Sequence, residues 1–208
     1  MPWPATHILV AEAVYDPYFS HLDRKEFILG TTFPDIRYPA AIDRELTHFK
    51  ARSLSSIMTE PAFKAGLYFH SFVDEIWNTF VQSHETQLFS TIPHDRAMFH
   101  TMKILQDRYL FDQSDDWQLI VDYFGTILPE ENRFGTTQKM VRRWHSLLAH
   151  YLSKPPDIGD LAMLKLSLPA ELVNKIAGYY QKYQEDVTLR QIMTAFYDQI
   201  NTLIDKTL

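Results

Sequence analysis

Apolar residues recur every three or four positions along most of the chain, which is the spacing of one face of an α-helix. No stretch alternates apolar and polar residues between glycine-rich turns, as a β-hairpin would. We therefore predict an all-α fold, a single multi-helix bundle domain over residues 1–208. The predicted helices span residues 7–15, 24–29, 44–57, 61–83, 96–111, 116–124, 138–152, 170–184 and 187–204.

Local signals at the N-terminal end predict where the first helices begin and end. Thr6 is expected to cap the first helix and Asp23 the second, which Gly30 is expected to end. The segment 31–41 contains Pro34 and Pro39 and is predicted to be a loop.

Composition narrows the possible functions. The net charge of −6 and the lack of a dense Lys/Arg block argue against a passive nucleic-acid-binding module. The chain has no cysteine, so any metal must be held by nitrogen and oxygen ligands. No basic signal region and no run of roughly 18 apolar residues is present, which predicts a cytoplasmic protein without a transmembrane segment.

The strongest chemical signal is the sequence GLYFHSFVDEIW. His70 and Asp74 are four residues apart, so on a helix they share one face and can converge on one cation. A pair on the helix surface is the simpler interpretation, but the neighbours on this face, Phe63, Leu67 and Trp77, are apolar. A His–Asp pair on an apolar face needs further polar partners.

Three other polar residues are candidates for those partners. Asp35 follows Pro34 in GTTFPDIRY, where an ordinary turn is the alternative interpretation. His48, in RELTHFK, is on its own more often a satisfied polar side chain. His7 lies at the start of the first helix, where a protonated imidazole is unfavourable and a neutral, metal-binding one is not.

The order of these residues along the chain resembles the zinc-dependent phospholipase C and single-strand nuclease superfamily. The matching pattern is a histidine in the first helix, then Gly-x-x-x-Pro-Asp, a histidine, and Gly-x-x-x-His-x-x-x-Asp, within residues 1–85. The resemblance implies a zinc-dependent phospholipase C type of fold. It also implies one zinc ion bound by Asp35, His48, His70 and Asp74, and a second one bound by His7, with Asp74 bridging the two.

The chain departs from the family pattern in the ligands of the remaining metal positions. Trp3 follows Met1 and Pro2, whereas the family uses a mature N-terminal tryptophan as a ligand. His84 lies ten residues after Asp74, roughly 20 Å further from His70 along a continuous helix, and no His-x-x-x-Glu motif follows. The sequence thus predicts one or two zinc ions rather than three.

The remaining histidines have no such pattern. We expect His21, His94 and His100 to be solvated, and the five-residue spacing of His145 and His150 does not place them on one helix face.

The resemblance implies a metal-dependent phosphoesterase that hydrolyses phosphodiester bonds with an activated water, and it favours phospholipid over nucleic acid as substrate. Asp35 and Asp74 are then candidates for accepting the proton of that water. Arg37 is a candidate for contacting the substrate phosphate, and a surface position is its alternative. Two other interpretations stay open: a non-catalytic interaction domain with a structural or vestigial metal site, and a metal-free buried polar network.

Overall fold

The computed structural model describes residues 3–161 and 168–205, and helices account for 74% of the structure. No strand occurs in these residues, so the predicted all-α fold is confirmed. The interpretation of residues 1–208 as one domain stays a prediction. In chain order, the α-helices are α1 (Pro4–Val14), α2 (Arg24–Thr32), α3 (Arg37–Ala40), α4 (Leu54–Ile57), α5 (Ala62–Ser83), α6 (Glu85–Leu88), α7 (Arg96–Leu110), α8 (Trp117–Tyr123), α9 (Gln138–Tyr151), α10 (Ala170–Tyr183), α11 (Val187–Asp198) and α12 (Ile200–Asp205).

The first helix begins earlier than its sequence predicts. Trp3 is the N-cap residue and Pro4 is the first helical residue, where a missing N–H costs nothing. Thr6 is therefore inside α1, and its predicted role as N-cap is wrong. Asp23, in contrast, caps α2 as predicted, because its side chain accepts a hydrogen bond of 2.9 Å from the backbone N–H of Glu26.

Gly30 does not end α2, because the helix continues to Thr32. Its role is to allow close packing of α2 against α5. A Cβ atom at Gly30 would lie 2.0 Å from the backbone oxygen of Phe63, and one at Gly66 would lie 2.1 Å from that of Phe27. Only residues without a side chain permit this approach, so the two glycines set the distance between the helices.

Three further segments differ from prediction. In the predicted loop 31–41, residues 31–40 are helical, since α2 passes into a 3-10 turn over Phe33–Ile36 and then into α3. Pro34 is the second residue of the 3-10 turn and Pro39 is the third residue of α3, so both lie in a first helical turn, where a proline is tolerated. Residues 44–57 are mostly irregular between a 3-10 turn (Arg44–Leu46) and α4, and the predicted last helix is interrupted at Gln199.

The core extends from α1 and α2 across α5 and α7 to the C-terminal helices. The indole N–H of Trp77 in α5 donates to the Gln106 side chain in α7 at 2.8 Å, and the amide of Gln106 donates to the Met193 carbonyl in α11 at 3.0 Å. These buried groups are paired, which removes the cost of burying them. No helix in the described residues is long and apolar enough to cross a membrane, and the cytoplasmic location stays a prediction.

Candidate metal centre

Helix α5 supplies two side chains of the candidate centre. His70 and Asp74 lie one turn apart on its buried face, with relative exposures of 1% and 5%. The Nε2 atom of His70 is 3.7 Å from Oδ2 of Asp74. The predicted long helix and the shared face are therefore confirmed, and the surface-pair interpretation is wrong.

The orientation of His70 is fixed by α2. Its Nδ1 atom lies 2.9 Å from the backbone oxygen of Thr31. A carbonyl oxygen can only accept, so Nδ1 carries the hydrogen and Nε2 keeps a lone pair directed at the other polar residues. This is the outer contact that metal-binding histidines commonly make.

His48 and Asp35 approach His70 from the other side. The Nε2 atom of His48 is 3.3 Å from Nε2 of His70 and 3.7 Å from Oδ1 of Asp35. His48 lies in the irregular segment after the 3-10 turn, and Asp35 lies in the Phe33–Ile36 turn, so neither is on the element that its sequence predicts. Both are buried, with relative exposures of 8% and 9%.

His7 completes the group from α1. Its Nε2 atom lies 3.3 Å from Oδ1 of Asp74, and its ring stacks on that of His70 with centroids 4.0 Å apart. The two oxygens of Asp74 therefore face different partners: Oδ1 faces His7, and Oδ2 faces His70. A carboxylate in this arrangement has the orientation that is needed to hold two cations.

The five residues form two overlapping triplets. His7, His70 and Asp74 offer ligand atoms within 4.8 Å of one another, and so do Asp35, His48 and His70. The residue that the two triplets share is His70, whereas the resemblance implies that Asp74 is the residue that binds both ions. Since only Nε2 of His70 is available, that residue can bind one ion, and Asp74 with two oxygens is the better bridge.

The electrostatics of these groups favour a bound cation. Burial lowers the pKa of His7 to about 3 and that of His48 to about 2. Burial raises the pKa of Asp35; it opposes ionisation of Asp74 as well, but His70 and His7 hold the pKa of Asp74 below its usual range. The two histidines are thus neutral at pH 7, which is the form that binds metals.

Several buried atoms in the centre make no hydrogen bond to any described residue. They are both ring nitrogens of His7, Oδ1 of Asp35 and both carboxylate oxygens of Asp74. Leaving such atoms without partners is costly, and native proteins seldom do so. Nitrogen and oxygen ligands of these types fit a zinc ion, so the residues present fit the metal that the resemblance implies.

Asp107 is a buried carboxylate that the sequence analysis missed. It lies in α7 and accepts hydrogen bonds from the backbone N–H groups of Ala5 and Thr6, at 3.0 and 2.8 Å, and from the hydroxyl of Tyr151 at 2.9 Å. Burial raises its pKa to about 6 despite these donors. Asp107 thus satisfies the first turn of α1, the helix that carries His7.

Cationic side chains near the centre were also missed, except Arg37. Arg44 Nη2 lies 3.8 Å from Oδ2 of Asp74. Lys103 is half-buried in α7, with Nζ 6.0 Å from the centre of the Trp77 ring. A single lysine in an amphipathic helix carries no signal in the sequence that would distinguish it from a solvated one.

The residues outside the centre follow the sequence prediction in part. The ring of Trp3 packs on that of Tyr151, with centroids 5.6 Å apart. The carbonyl oxygen of Trp3 accepts a hydrogen bond of 3.1 Å from the backbone N–H of His7. Met1 and Pro2 lie outside the described residues. His84 lies just past the end of α5. His100 is half-buried, so the expectation that it is solvated is wrong. Burial lowers the pKa of His100 to about 4.

His145 is buried in a second polar contact that the sequence analysis did not find. Its Nε2 atom lies 2.7 Å from Oε1 of Glu131, and its Nδ1 atom lies 3.0 Å from the backbone oxygen of Phe124. All polar atoms of the ring have partners, so this pair connects α9 to the preceding 3-10 turn and offers no free ligand atom.

Comparison with protein-family models gave no match, and comparisons with characterised proteins and with solved structures gave none either. The resemblance to the zinc-dependent phospholipase C and nuclease superfamily therefore stays a prediction.

Proposed function

We propose that the protein is a metal-dependent phosphoesterase that binds one or two zinc ions and hydrolyses phosphodiester bonds. The observation that supports this most is the convergence of five buried nitrogen and oxygen ligands, of which His7, Asp35 and Asp74 have buried atoms without hydrogen-bond partners. A metal-free polar network is the weaker account, because such a network leaves these buried atoms unsatisfied.

The distribution of ligands favours catalysis over a structural metal. A structural zinc site usually has four protein ligands, whereas catalytic sites keep a position open. If Asp35, His48, His70 and Asp74 hold one ion, His7 and Asp74 alone are left for a second, which leaves positions for water and substrate. A divalent ion held there lowers the pKa of water and neutralises phosphate oxygens.

The residues of the chain have separate roles in this proposal. Thr31 holds the tautomer of His70, and Asp107 holds the N-terminal turn of α1 so that His7 reaches Asp74. Oδ1 of Asp35 is buried without a hydrogen-bond partner, but the Asp35 side chain as a whole is 12% exposed, against 7% for Asp74. Asp35 is therefore the better placed of the two carboxylates to accept a proton from water, while Asp74 bridges.

The test is hydrolysis by protein of known metal content, with a soluble chromogenic phosphodiester, phospholipid vesicles and single-stranded DNA as substrates. We expect hydrolysis that a chelator abolishes and zinc restores, with phospholipid preferred to DNA. Asp74→Asn should be inactive, and Asp198→Asn, an exposed change at the end of α11, should retain full activity. A zinc-loaded protein that hydrolyses none of these substrates would favour the non-catalytic interaction domain.

A further inference from the structure

Three cationic side chains reach the candidate metal centre from different elements. Arg37 begins α3, Arg44 begins the 3-10 turn that precedes His48, and Lys103 lies in the middle of α7. Arg37 follows Asp35 by two residues, and Nη2 of Arg44 lies 3.8 Å from Oδ2 of Asp74. Nζ of Lys103 lies 6.0 Å from the ring of Trp77, which is three residues after Asp74 on α5. The centre of an acidic chain is thus locally cationic.

Lys103 is half-buried in the middle of α7. Burial lowers the pKa of its ammonium group, and the charges of Asp35 and Asp74 oppose that effect. Lys103 makes no ion pair within the part of the chain that the structure describes. A half-buried ammonium group without an ion pair is well placed to bind an anion. When Asp35 and Asp74 hold cations, a phosphate of the ligand would be that anion.

Arg37 and Arg44 are placed to complete the same surface. The guanidinium of Arg37 stacks over the ring of Tyr38 at 3.9 Å, which orients it, and its Nε atom is buried without a hydrogen bond. The side chain of Arg44 is 49% exposed while its Nη2 atom lies 3.8 Å from Asp74, so it connects the centre with solvent. Guanidinium and ammonium groups together are the usual protein ligands of phosphate oxygens.

We propose that Lys103, with Arg37 and Arg44, forms an anion-binding subsite for the substrate phosphate, and that this subsite selects phosphodiesters without a positively charged group over those that carry a quaternary ammonium. The selection follows from charge. A choline-like group beside the bound phosphate meets three like charges, whereas a glycerol-like group meets none. This inference rests on the proposed function for the reaction, but on a different set of residues.

The experiment measures binding of inorganic phosphate to the zinc-loaded full chain by calorimetry, and competition by two soluble diesters, glycerophosphoglycerol and glycerophosphocholine. We expect phosphate to bind, its affinity to fall with salt, and glycerophosphoglycerol to compete better. Lys103→Met should weaken phosphate binding about tenfold, the effect of one charge-assisted contact. Lys103→Arg should restore most of the affinity, and Lys139→Met, an exposed change in α9, should have no effect.

Zinc content and circular dichroism of each variant show whether the centre and fold are intact. If Lys103→Met does not fold, the salt dependence and the competition by the two diesters test the inference on the unchanged protein. Lack of phosphate binding by the zinc-loaded protein, equal binding by Lys103→Met, or preference for glycerophosphocholine would overturn it.

Failure of this inference is distinguishable from failure of the proposed function. Lys103-dependent phosphate binding without hydrolysis of any ester would leave the subsite in place and contradict the phosphoesterase. Hydrolysis with a KM and a phosphate inhibition that Lys103→Met does not change would leave the phosphoesterase in place and contradict the subsite.

Discussion

The Nδ1 atom of His70 and the backbone oxygen of Thr31 lie 2.9 Å apart across the interface of α5 and α2. This contact leaves Nε2 of His70 as its only available ligand atom and directs it at the other side chains of the centre. It depends on the close approach of the two helices at Gly30 and Gly66. The packing of α2 against α5 thus also orients the candidate ligand His70.

This relationship predicts that small changes at the helix interface weaken metal binding. Gly66→Ala places a Cβ atom 2.1 Å from the backbone oxygen of Phe27, so the helices must separate. We expect a loss of about 1–3 kcal/mol in the free energy of unfolding, together with weaker zinc binding. Urea unfolding and a zinc titration measure both.

Gly178→Ala is the matched control for that substitution. It lies inside α10, and a Cβ atom there would have no neighbour within 4 Å. We expect it to stabilise the protein by about 0.5–1 kcal/mol through its higher helix propensity and to leave zinc binding unchanged. Equal zinc affinity in Gly66→Ala and the unchanged protein would show that the helix approach does not position the ligands.

The bridging role of Asp74 predicts different metal contents for two variants. Asp74→Asn should lose most of the bound metal, because its carboxylate faces both His7 and His70. His7→Ala should keep the ion held by Asp35, His48, His70 and Asp74. Metal analysis after dialysis measures the zinc content of both variants. Undiminished zinc in Asp74→Asn would contradict the bridging role of Asp74.

The lowered pKa values of the histidines predict the pH dependence of the metal-free protein. The pKa values of His7 and His48 are about 3 and about 2 in the fold, against 6.5 for an ordinary histidine. At these two residues, the unfolded chain therefore binds more protons than the folded one below pH 6.5. Their contribution to the free energy of unfolding should fall as the pH drops from about 7 to about 4.

A histidine variant checks this assignment. Replacing His7 with Leu removes up to one proton from the difference in bound protons between the unfolded and folded states. The slope of the free energy of unfolding against pH should therefore flatten by about 1.4 kcal/mol per pH unit. His94→Gln changes a side chain that is 54% exposed and should leave the slope unaltered. Denaturant unfolding of chelated protein at several pH values gives the slopes, and identical slopes for His7→Leu and the unchanged protein would refute the assignment.

The helical fold and the pairing of His70 with Asp74 could be predicted from local signals in the sequence. The grouping of His7, Asp35 and His48 with this pair was implied only by the resemblance in residue order. The four-residue spacing of His70 and Asp74 on a strongly amphipathic helix places them on one face whatever the rest of the fold does. The roles of Gly30 and Thr6 could not be predicted, because they depend on contacts with Phe63 and Asp107, which are distant in sequence.

The same reason explains why the surroundings of the centre were missed. Lys103 approaches it only because α7 packs against α1 and the C-terminal helices, and that packing has no signature in the sequence around Lys103. The position of His48 outside a helix is likewise set by its contacts with His70 and Asp35.

The two buried carboxylates of the centre predict that metal removal destabilises the protein. Without a cation, the centre holds the carboxylates of Asp35 and Asp74 close together and largely desolvated, which is unfavourable for both. We expect chelation to cost several kcal/mol and to lower the melting temperature, and zinc to reverse the change. Calorimetric scans with and without chelator measure it, and the same melting temperature after complete metal removal would tell against a buried cation site.

The measurement that tests the central claim most directly is anomalous diffraction at the zinc edge from crystals of the zinc-loaded protein. The account predicts an anomalous peak among His7, His70, Asp74, Asp35 and His48, with ligand distances of about 2.0–2.2 Å. A second peak between His7 and Asp74 would show that the carboxylate bridges two ions. Crystals grown with excess zinc that show no peak among these residues, with the histidines and carboxylates hydrogen-bonded to one another or to water, would contradict it.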